Sequence, residues 1–321
     1  MTDDNAPDPL PEPRIRVVRK AVVVPHTGQS DVAHGVFDAK GAFAPMSMAR
    51  LSKGRMSGVP EWSPPTARLH GTYLYAGFGH RHFGHFMLEG LVRLWALDHV
   101  KEPVDGLVLP ARQKMPIEAS LERALGSVVA LFGDGLPPHV IREPTRIDRL
   151  ILPSAGFGHD TGLTGTPAFR TYIAKRVAAI PADGADKLYL TRTRLGYPEQ
   201  RVDREAEIEA MMRDAGYFIF SPERYPIETQ IAMIKDARQI VGADGSAFHI
   251  VPFAMRKDAA AAIFLRRNRP EMLARLSTQM QAFCGITPTL IDARQRPLPR
   301  TTPAPIDLNH LRQALRDAGF L

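Results

Sequence analysis

The feature of this 321-residue chain that most limits its fold is a regular alternation of strand and helix patterns between residues 187 and 291. Short apolar runs such as "KLYLTR", "QIVGA" and "AAIFL" alternate with amphipathic segments such as "DREAEIEAMMRDAG" and "PIETQIAMIKDAR". Repeated β-α-β units with right-handed crossovers build parallel sheets that are covered by helices. The alternation therefore predicts an α/β domain, and Asp307 is the expected N-cap of a closing helix.

The first half of the chain shows the same element types in a less regular order. We predict strands at "IRVVRKAVVV", "LHGTYLYAGF", "GLVLP", "HVIRE" and "DRLILP". The segment "HFMLEGLVRLWALDHV" has a helical period that places His85, Glu89 and Arg93 on one polar stripe. This half is therefore predicted to be a second α/β domain.

A proline-rich N-terminal segment and one turn mark the boundaries of two predicted domains. Residues 1–13 are rich in proline and acids, which is typical of a disordered leader. The Pro-Ala-Asp-Gly turn at residues 181–184 is the predicted boundary. We therefore expect an N-terminal domain over 14–182 and a C-terminal domain over 183–321.

Composition narrows the class of protein. The single cysteine, Cys284, cannot form an internal disulfide or a cysteine-rich zinc site. There is no apolar window of the roughly 20 residues that a membrane span needs, and the acidic N-terminus is unlike a signal peptide. The net charge of +7 comes from scattered basic residues without interleaved aromatics, so nucleic acid is not the expected partner. We predict a cytoplasmic protein.

The stretch "GFGHRHFGHFMLEG" concentrates histidines before the predicted helix: His80, His82 and His85, with Glu89 one turn later. A zinc site would need converging imidazoles, and only His85 and Glu89 have helical spacing. For His80 and His82 the spacing favours hydrogen bonding within the turn. His85, with its tautomer fixed by Glu89, fits a general base. A metal hydrolase built on these four residues remains an alternative.

A second motif is the glycine-rich turn of "QIVGADGSAFHIVPFAM", where a strand runs into a helix. Backbone N–H groups at Gly242, Gly245 and Ser246 can approach an anion there. The motif lacks a Walker lysine and the dinucleotide fingerprint. Arg192 ends another strand and would lie beside this turn if both strands share the sheet, where its planar fork suits a diphosphate. A solvated basic loop is the alternative for the arginines.

Together these motifs resemble glycosyltransferase family 61, which includes bacterial capsular polysaccharide biosynthesis proteins. "FGHFMLEGLVRLWAL" is similar to the family's His-Phe-x-x-Glu segment, and "LYLTR" to its strand ending in arginine. "IVGADGSAFHIVPF" is similar to its Ile-Val-Gly-x-His-Gly segment. Asp244 stands where the family usually has histidine, and His249 lies near its usual asparagine.

The resemblance implies a GT-B-like architecture, in which two Rossmann-like domains face a cleft. It implies inverting transfer of a hexose or pentose from a nucleotide-diphosphate sugar, held by the second domain, to a glycan held by the first. Neither a metal nor another cofactor is expected, and the product would be a capsular or other surface polysaccharide. A lipid-linked glycan acceptor would make the protein peripheral at the inner membrane surface.

The resemblance also implies roles for individual residues. His85, Glu89 and Asp244 are the expected catalytic residues. A degenerate, non-catalytic subunit that binds glycan or nucleotide in a polysaccharide assembly complex is the alternative, because Asp244 replaces a histidine. The expected donor-binding residues are Arg192, Arg201, Glu223, Gly242, Gly245, Ser246 and His249.

Overall fold

The chain divides into two compact units, Met1–Arg176 (unit 1) and Val177–Leu321 (unit 2). Of the predicted leader, residues 1–9 lie outside the described part of the chain, and residues 10–13 have no regular structure. The computed structural model describes residues 10–28, 32–112, 117–295 and 303–321.

Unit 1 is built on a mixed sheet. Its strands are β1 (Ile15–Val24), β2 (Gly35–Phe37), β3 (Phe43–Ala44), β4 (Ala67–Tyr75), β5 (Gly106–Pro110), β6 (Pro138–Ile141) and β7 (Thr145–Pro153). They lie in the order β3-β2-β1-β7-β4-β5-β6. Strand β1 is antiparallel to β7 and β2, whereas β4 is parallel to β7 and β5. The strands predicted for this half are confirmed, but only part of this sheet has the parallel pairing of a Rossmann-like domain.

The helix predicted over "HFMLEGLVRLWALDHV" is not continuous. One α-helical turn, α1 (Phe83–His85), passes into a π-helical segment over Phe86–Gly90, and a 3₁₀ helix covers Leu94–Asp98. The predicted polar stripe is also wrong, because Glu89 and Arg93 are both buried. Tertiary contacts explain the break, since the guanidinium of Arg93 turns inward to bind backbone carbonyls. The other α-helices that begin in unit 1 are α2 (Glu118–Leu121), α3 (Ala124–Phe132) and α4 (Pro167–Ala178).

Unit 2 contains a parallel five-stranded sheet. Its strands are β8 (Lys187–Leu190), β9 (Phe218–Phe220), β10 (Gln239–Ala243), β11 (Ala260–Phe264) and β12 (Thr289–Ile291). The order is β12-β11-β10-β8-β9, and each neighbouring pair is parallel. The strand order reverses between β8 and β10, and ligands of open α/β sheets bind outside the carboxyl ends of the strands at such a point. The expectation that the strands before Arg192 and the Gly242 turn share a sheet is confirmed.

The helices of unit 2 follow the predicted alternation, with one exception. Asp307 caps the last helix as predicted, accepting the N–H groups of Asn309 and His310 at 3.0 Å. The helix expected from Ser246 is instead a 3₁₀ turn, Ser246–His249, followed by a single helical turn. Pro252 has no N–H group to bond the carbonyl of Phe248, which a continuous helix would require. The α-helices are α5 (Glu205–Asp214), α6 (Ile227–Asp236), α7 (Val251–Ala254), α8 (Glu271–Cys284) and α9 (Leu308–Asp317). Among the described helices, none has both the length and the apolarity of a membrane span.

Candidate active site

One carboxylate organises a polar cluster in unit 1. Oε1 of Glu89 lies 2.7 Å from Nδ1 of His85 and 2.8 Å from Nε2 of His159. The side chains of Glu89 and His159 are only 4% and 7% exposed, whereas that of His85 is 45% exposed. The cluster therefore keeps a shielded carboxylate behind an imidazole that solvent can reach.

The hydrogen bonds set the charge of this carboxylate. Burial alone would raise the pKa of Glu89, but the hydrogen bonds from His159 and His85 outweigh burial and lower the pKa to about 2. Glu89 is therefore an anion at neutral pH and accepts both N–H groups. An imidazole that donates its Nδ1–H keeps the lone pair of Nε2 free. His85 is thus in the tautomer that can take a proton from a hydroxyl group.

The distances favour hydrogen bonds over shared coordination of a metal ion. Nitrogen and oxygen ligands of a tetrahedral zinc ion, each about 2.1 Å from the metal, lie roughly 3.4 Å apart. The two contacts to Glu89 are much shorter and match N–H···O bonds. Each of the three residues also offers one ligand atom within 4.8 Å of the others, so the same group could hold a metal ion. The third group is His159, and not His80 or His82 as the sequence pattern suggested.

The π-helical segment places Glu89 one turn after His85. Such segments occur as single turns, frequently at functional sites. The Glu89 carbonyl accepts the N–H of Phe78 at 2.9 Å. A Cβ atom on Gly77 would lie 2.1 Å from that carbonyl oxygen, and Gly77 has a φ of +147°. Glycine is therefore required where the chain leaves β4 and passes against the Glu89 backbone.

The two remaining histidines of the motif support the turn. Nδ1 of His80 accepts the backbone N–H of His82 at 3.0 Å, as predicted for a turn histidine. The His80 ring stacks on His85, with ring centroids 4.6 Å apart. Burial, followed by the charge of His85, lowers the pKa of His80 to about 4, so His80 is neutral at physiological pH. His80 thus provides an uncharged face against the exposed imidazole.

Sequence reasoning missed His159, which follows β7 in a glycine-rich loop. Hydrogen bonds fasten this loop to the chain beyond Glu89: the N–H of Gly156 donates to the carbonyl of Val92 at 2.7 Å, and Nε1–H of Trp95 donates to the carbonyl of Ser154 at 3.0 Å. The available signal was its position in the loop that follows a strand of an α/β sheet. No spacing rule connects it with Glu89, 70 residues earlier.

In unit 2, Arg192 follows β8 at the point where the strand order reverses. Its backbone N–H donates to Oε1 of Glu205 at 2.7 Å, and its Nε–H donates to the carbonyl of Gln200 at 2.6 Å. A Cβ atom on Gly245 would lie 2.2 Å from Nη1 of Arg192, so a glycine there leaves room for the guanidinium. Gly242 lies within β10, paired with Leu190 of β8. The structure thus brings Arg192 and the glycine turn together.

Asp244 is buried in the same turn and is bonded to Arg266. Its Oδ1 accepts the backbone N–H of Arg266 at 2.7 Å, and its carbonyl accepts the Nε–H of Arg266 at 2.8 Å. Burial, followed by the charge of Arg192, lowers the pKa of Arg266 to about 9, although Asp244 opposes this effect. Both buried guanidinium groups are therefore charged at neutral pH. Two cations around one carboxylate make this end of the sheet suited to an anion.

The other predicted donor-binding residues are less closely grouped. His249 is buried, and its Nδ1 lies 2.8 Å from Oε1 of Gln279 on α8. Arg201 is exposed, with its Nε–H donating to the carbonyl of Leu195 at 3.2 Å. Ser246 is half-buried, and Glu223 lies exposed in the 3₁₀ turn after β9. Of this last group, Glu223 is within the electrostatic reach of Arg192.

This α/β chain has an exposed imidazole bonded to a carboxylate in one unit and buried guanidinium groups at a sheet switch point in the other, and such side chains are suited to group transfer. Residues 83–262 match the family described as Glycosyltransferase 61, and this range is more than half of the chain. The chain therefore belongs to glycosyltransferase family 61, whose substrates are a sugar donor and a glycan acceptor. The matched range includes His85, Glu89, His159, Arg192 and Asp244. The curated proteins provide no match to the chain.

Proposed function

We propose that the protein is an inverting glycosyltransferase that moves a hexose or pentose from a nucleotide-diphosphate sugar to a hydroxyl group of a glycan. The observation that carries the proposal is the exposed His85 held by the ionised Glu89. In one displacement, the acceptor oxygen forms a bond to the anomeric carbon while the bond from that carbon to the diphosphate oxygen breaks. Nε2 of His85 takes the hydroxyl proton, and the diphosphate leaves with the bonding electron pair.

The leaving diphosphate needs fixed positive charge, and unit 2 supplies it in this proposal. Arg192 and Arg266 are buried cations at the end of the sheet where nucleotides bind in α/β proteins. Asp244 holds Arg266 through two hydrogen bonds, so we assign it a supporting role and not that of a base. The arginines would thus supply the charge without a metal ion, and we propose a metal-independent reaction.

The wider role follows from this chemistry. We propose that unit 1 binds the acceptor and unit 2 binds the donor, in a GT-B-like arrangement. The acceptor would be a growing capsular or other surface polysaccharide, in free or lipid-linked form. Such a reaction would take place in the cytoplasm, with the protein peripheral to the inner membrane when the acceptor is lipid-linked.

Calorimetric titration with UDP, GDP, CDP and TDP, each with EDTA and with Mg²⁺, is the first test. We expect one nucleotide to bind saturably in both conditions and to raise the melting temperature, because a ligand that binds only the folded state stabilises it. That nucleotide then identifies the donors to assay for transfer. Absence of binding by all four would overturn the donor assignment. Binding without transfer from any matching donor would favour the non-catalytic subunit, for which the aspartate at position 244 is the supporting observation.

A further inference from the structure

His159 has no role in the transfer step described above, yet it makes a hydrogen bond to the centre of the base cluster. Its Nε2 lies 2.8 Å from the same Glu89 oxygen that His85 contacts. Its side chain is 7% exposed, so an acceptor cannot reach it as it can reach His85. A role through Glu89 is therefore the one that its position allows.

We propose that His159 is a positioning residue for the transfer reaction: its Nε2–H group fixes the Glu89 carboxylate so that Glu89 can orient His85 as the base. This inference rests on the proposed function, because it assumes that His85 accepts the proton of the acceptor hydroxyl. Histidine ligands and bases are commonly oriented by a carboxylate, and the group that holds the carboxylate completes the arrangement.

The backbone around His159 is fastened to the segment that carries Glu89. Arg93, four residues beyond Glu89, donates to the carbonyl of Pro153 at 3.0 Å, at the end of β7. Thr166, at the far end of the loop, donates its N–H to the carbonyl of Gly156 at 2.7 Å. Gly156 itself cannot be enlarged, since a Cβ atom would lie 2.7 Å from Cδ1 of Trp95. The loop is thus fixed at several points, and these contacts hold the backbone of His159 in place.

Sharing one oxygen between two donors has a chemical consequence. Two N–H donors stabilise a buried carboxylate as an anion. Each donor also takes up part of the negative charge of the carboxylate, so that less of this charge acts on the other donor. Among the two bonds, the one from His159 contributes more to holding the pKa of Glu89 low. Without it, the negative charge of Glu89 would act on His85 alone and would stabilise the protonated imidazolium. His85 would then be a poorer base at neutral pH.

The proposal is tested by comparing His159→Phe with His159→Gln. Phenylalanine keeps a ring of similar size but has no N–H group, whereas the glutamine amide can place an N–H near the position of Nε2. We expect His159→Phe to lower kcat by about 10- to 100-fold with little change in KM, as for other supporting partners of a histidine. The acidic limb of the kcat/KM profile should also move to higher pH. His159→Gln should restore most of both properties.

The titratable groups that face His85 are His80, His82, Glu89 and His159. The two variants change only His159, so a moved pH profile is attributable to the bond it makes. Unchanged melting temperature and nucleotide affinity in both variants would show that the fold is preserved. If His159→Gln loses as much activity as His159→Phe, the N–H group is not the required feature and the proposal is wrong.

A second readout does not depend on transferase activity. Diethyl pyrocarbonate acylates neutral imidazole, and tandem mass spectrometry can follow acylation of His85 across a pH series. We expect the pH at which His85 becomes reactive to be higher in His159→Phe than in the wild type and in His159→Gln. If all three proteins share one profile, the proposal is overturned. If the profiles differ but no donor is ever turned over, the proposed transferase function fails while the hydrogen-bond role of His159 stands.

Discussion

The His85–Glu89–His159 cluster of unit 1 and the Arg192–Asp244–Arg266 cluster of unit 2 each contain one buried carboxylate, but the partners differ. Glu89 is held by two imidazoles, so the cluster is negative when both rings are neutral. The Asp244 carboxylate accepts the backbone N–H of Arg266, the Arg266 guanidinium binds the Asp244 carbonyl, and Arg192 lies nearby, so that cluster is positive. In the proposed reaction, the same functional group therefore supports proton acceptance in one place and anion binding in the other. What differs is the neighbouring basic group, because an imidazole can be neutral near pH 7 whereas a guanidinium stays charged.

The largest effect is expected from His85→Ala, which removes the proposed proton acceptor. We expect kcat to fall by about 10²- to 10⁴-fold, the usual contribution of a general base, while nucleotide affinity is unchanged. Steady-state kinetics and calorimetry measure the two quantities. His82→Ala is the matched control from the same turn and should retain nearly full turnover. If His85→Ala keeps wild-type turnover, His85 is not the proton acceptor, and the proposed difference in role between the two clusters is wrong.

The corresponding test of the unit 2 cluster is Arg192→Lys, which keeps the positive charge but loses the planar guanidinium group. A charge-assisted hydrogen bond is worth roughly 1.5–3 kcal/mol, so we expect the nucleotide Kd to rise by about 10- to 100-fold. Arg201→Lys, at an exposed arginine, is the control and should have a smaller effect. Equal affinity in the wild type and Arg192→Lys would exclude Arg192 from the anion site.

A smaller effect is expected from Gly245→Ala. The added Cβ would lie 2.2 Å from Nη1 of Arg192, so the guanidinium must move away from its position. We expect weaker nucleotide binding by up to about tenfold, or roughly 1.4 kcal/mol. Gly196→Ala is the control, because its added Cβ would meet no atom within 4 Å. Nucleotide affinities that do not differ between these variants would show that the position of the Arg192 side chain is not critical.

The smallest effect concerns stability. Burial raises the pKa of Glu205 to about 7, although the N–H and charge of Arg192 oppose this. A carboxyl whose pKa is higher in the folded state binds its proton more tightly there. Unit 2 therefore loses stability as the pH rises from about 4.5 to about 7. Glu205→Gln resembles the protonated form but buries an amide N–H, so we expect a net gain of about 1 kcal/mol at pH 8 and none near pH 5.

Chemical denaturation at the two pH values measures this difference. Glu207→Gln, on an exposed face of the same helix and paired with Arg204, is the control and should show no gain at pH 8. A loss of stability at pH 8 in Glu205→Gln would mean that the charged form of Glu205 is favoured in the folded protein.

The sequence predicts the cluster of unit 2 better than that of unit 1, and the reason is topological. The carboxyl ends of parallel neighbouring strands meet at one edge, so Arg192 and the Gly242–Gly245 turn could be placed together from strand patterns alone. The same rule would have found Arg266, which follows β11. In unit 1, the apolar period after His85 fits a helix, and Gly90, where the π-helical segment ends, is only a weak local signal for the break. The break depends on contacts made by Gly77 and Arg93 with distant segments.

The side-chain partners show the same limit. The spacing of His85 and Glu89 is local and predicted their contact, which the structure confirms. The bond from His159 joins residues 70 positions apart, and single-sequence patterns do not encode such pairs. Asp244 was expected to be catalytic because of its place in a family motif, whereas its bonds to Arg266 depend on the register of β10 with β11.

The pairing of β1 with β7 also bears on how the chain folds. Ile15 of β1 pairs with Pro153 of β7, so β1 can pair with β2 soon after synthesis but has to wait for most of unit 1 before β7 is available. Contacts of such long sequence separation close slowly, because the loop entropy is lost before the contacts form. His159 lies just beyond β7, so we expect the base cluster to assemble in the same late step that closes the sheet. Pulse-labelling of β1 amides by hydrogen exchange during refolding would then report, indirectly, when the proposed proton acceptor reaches its folded environment.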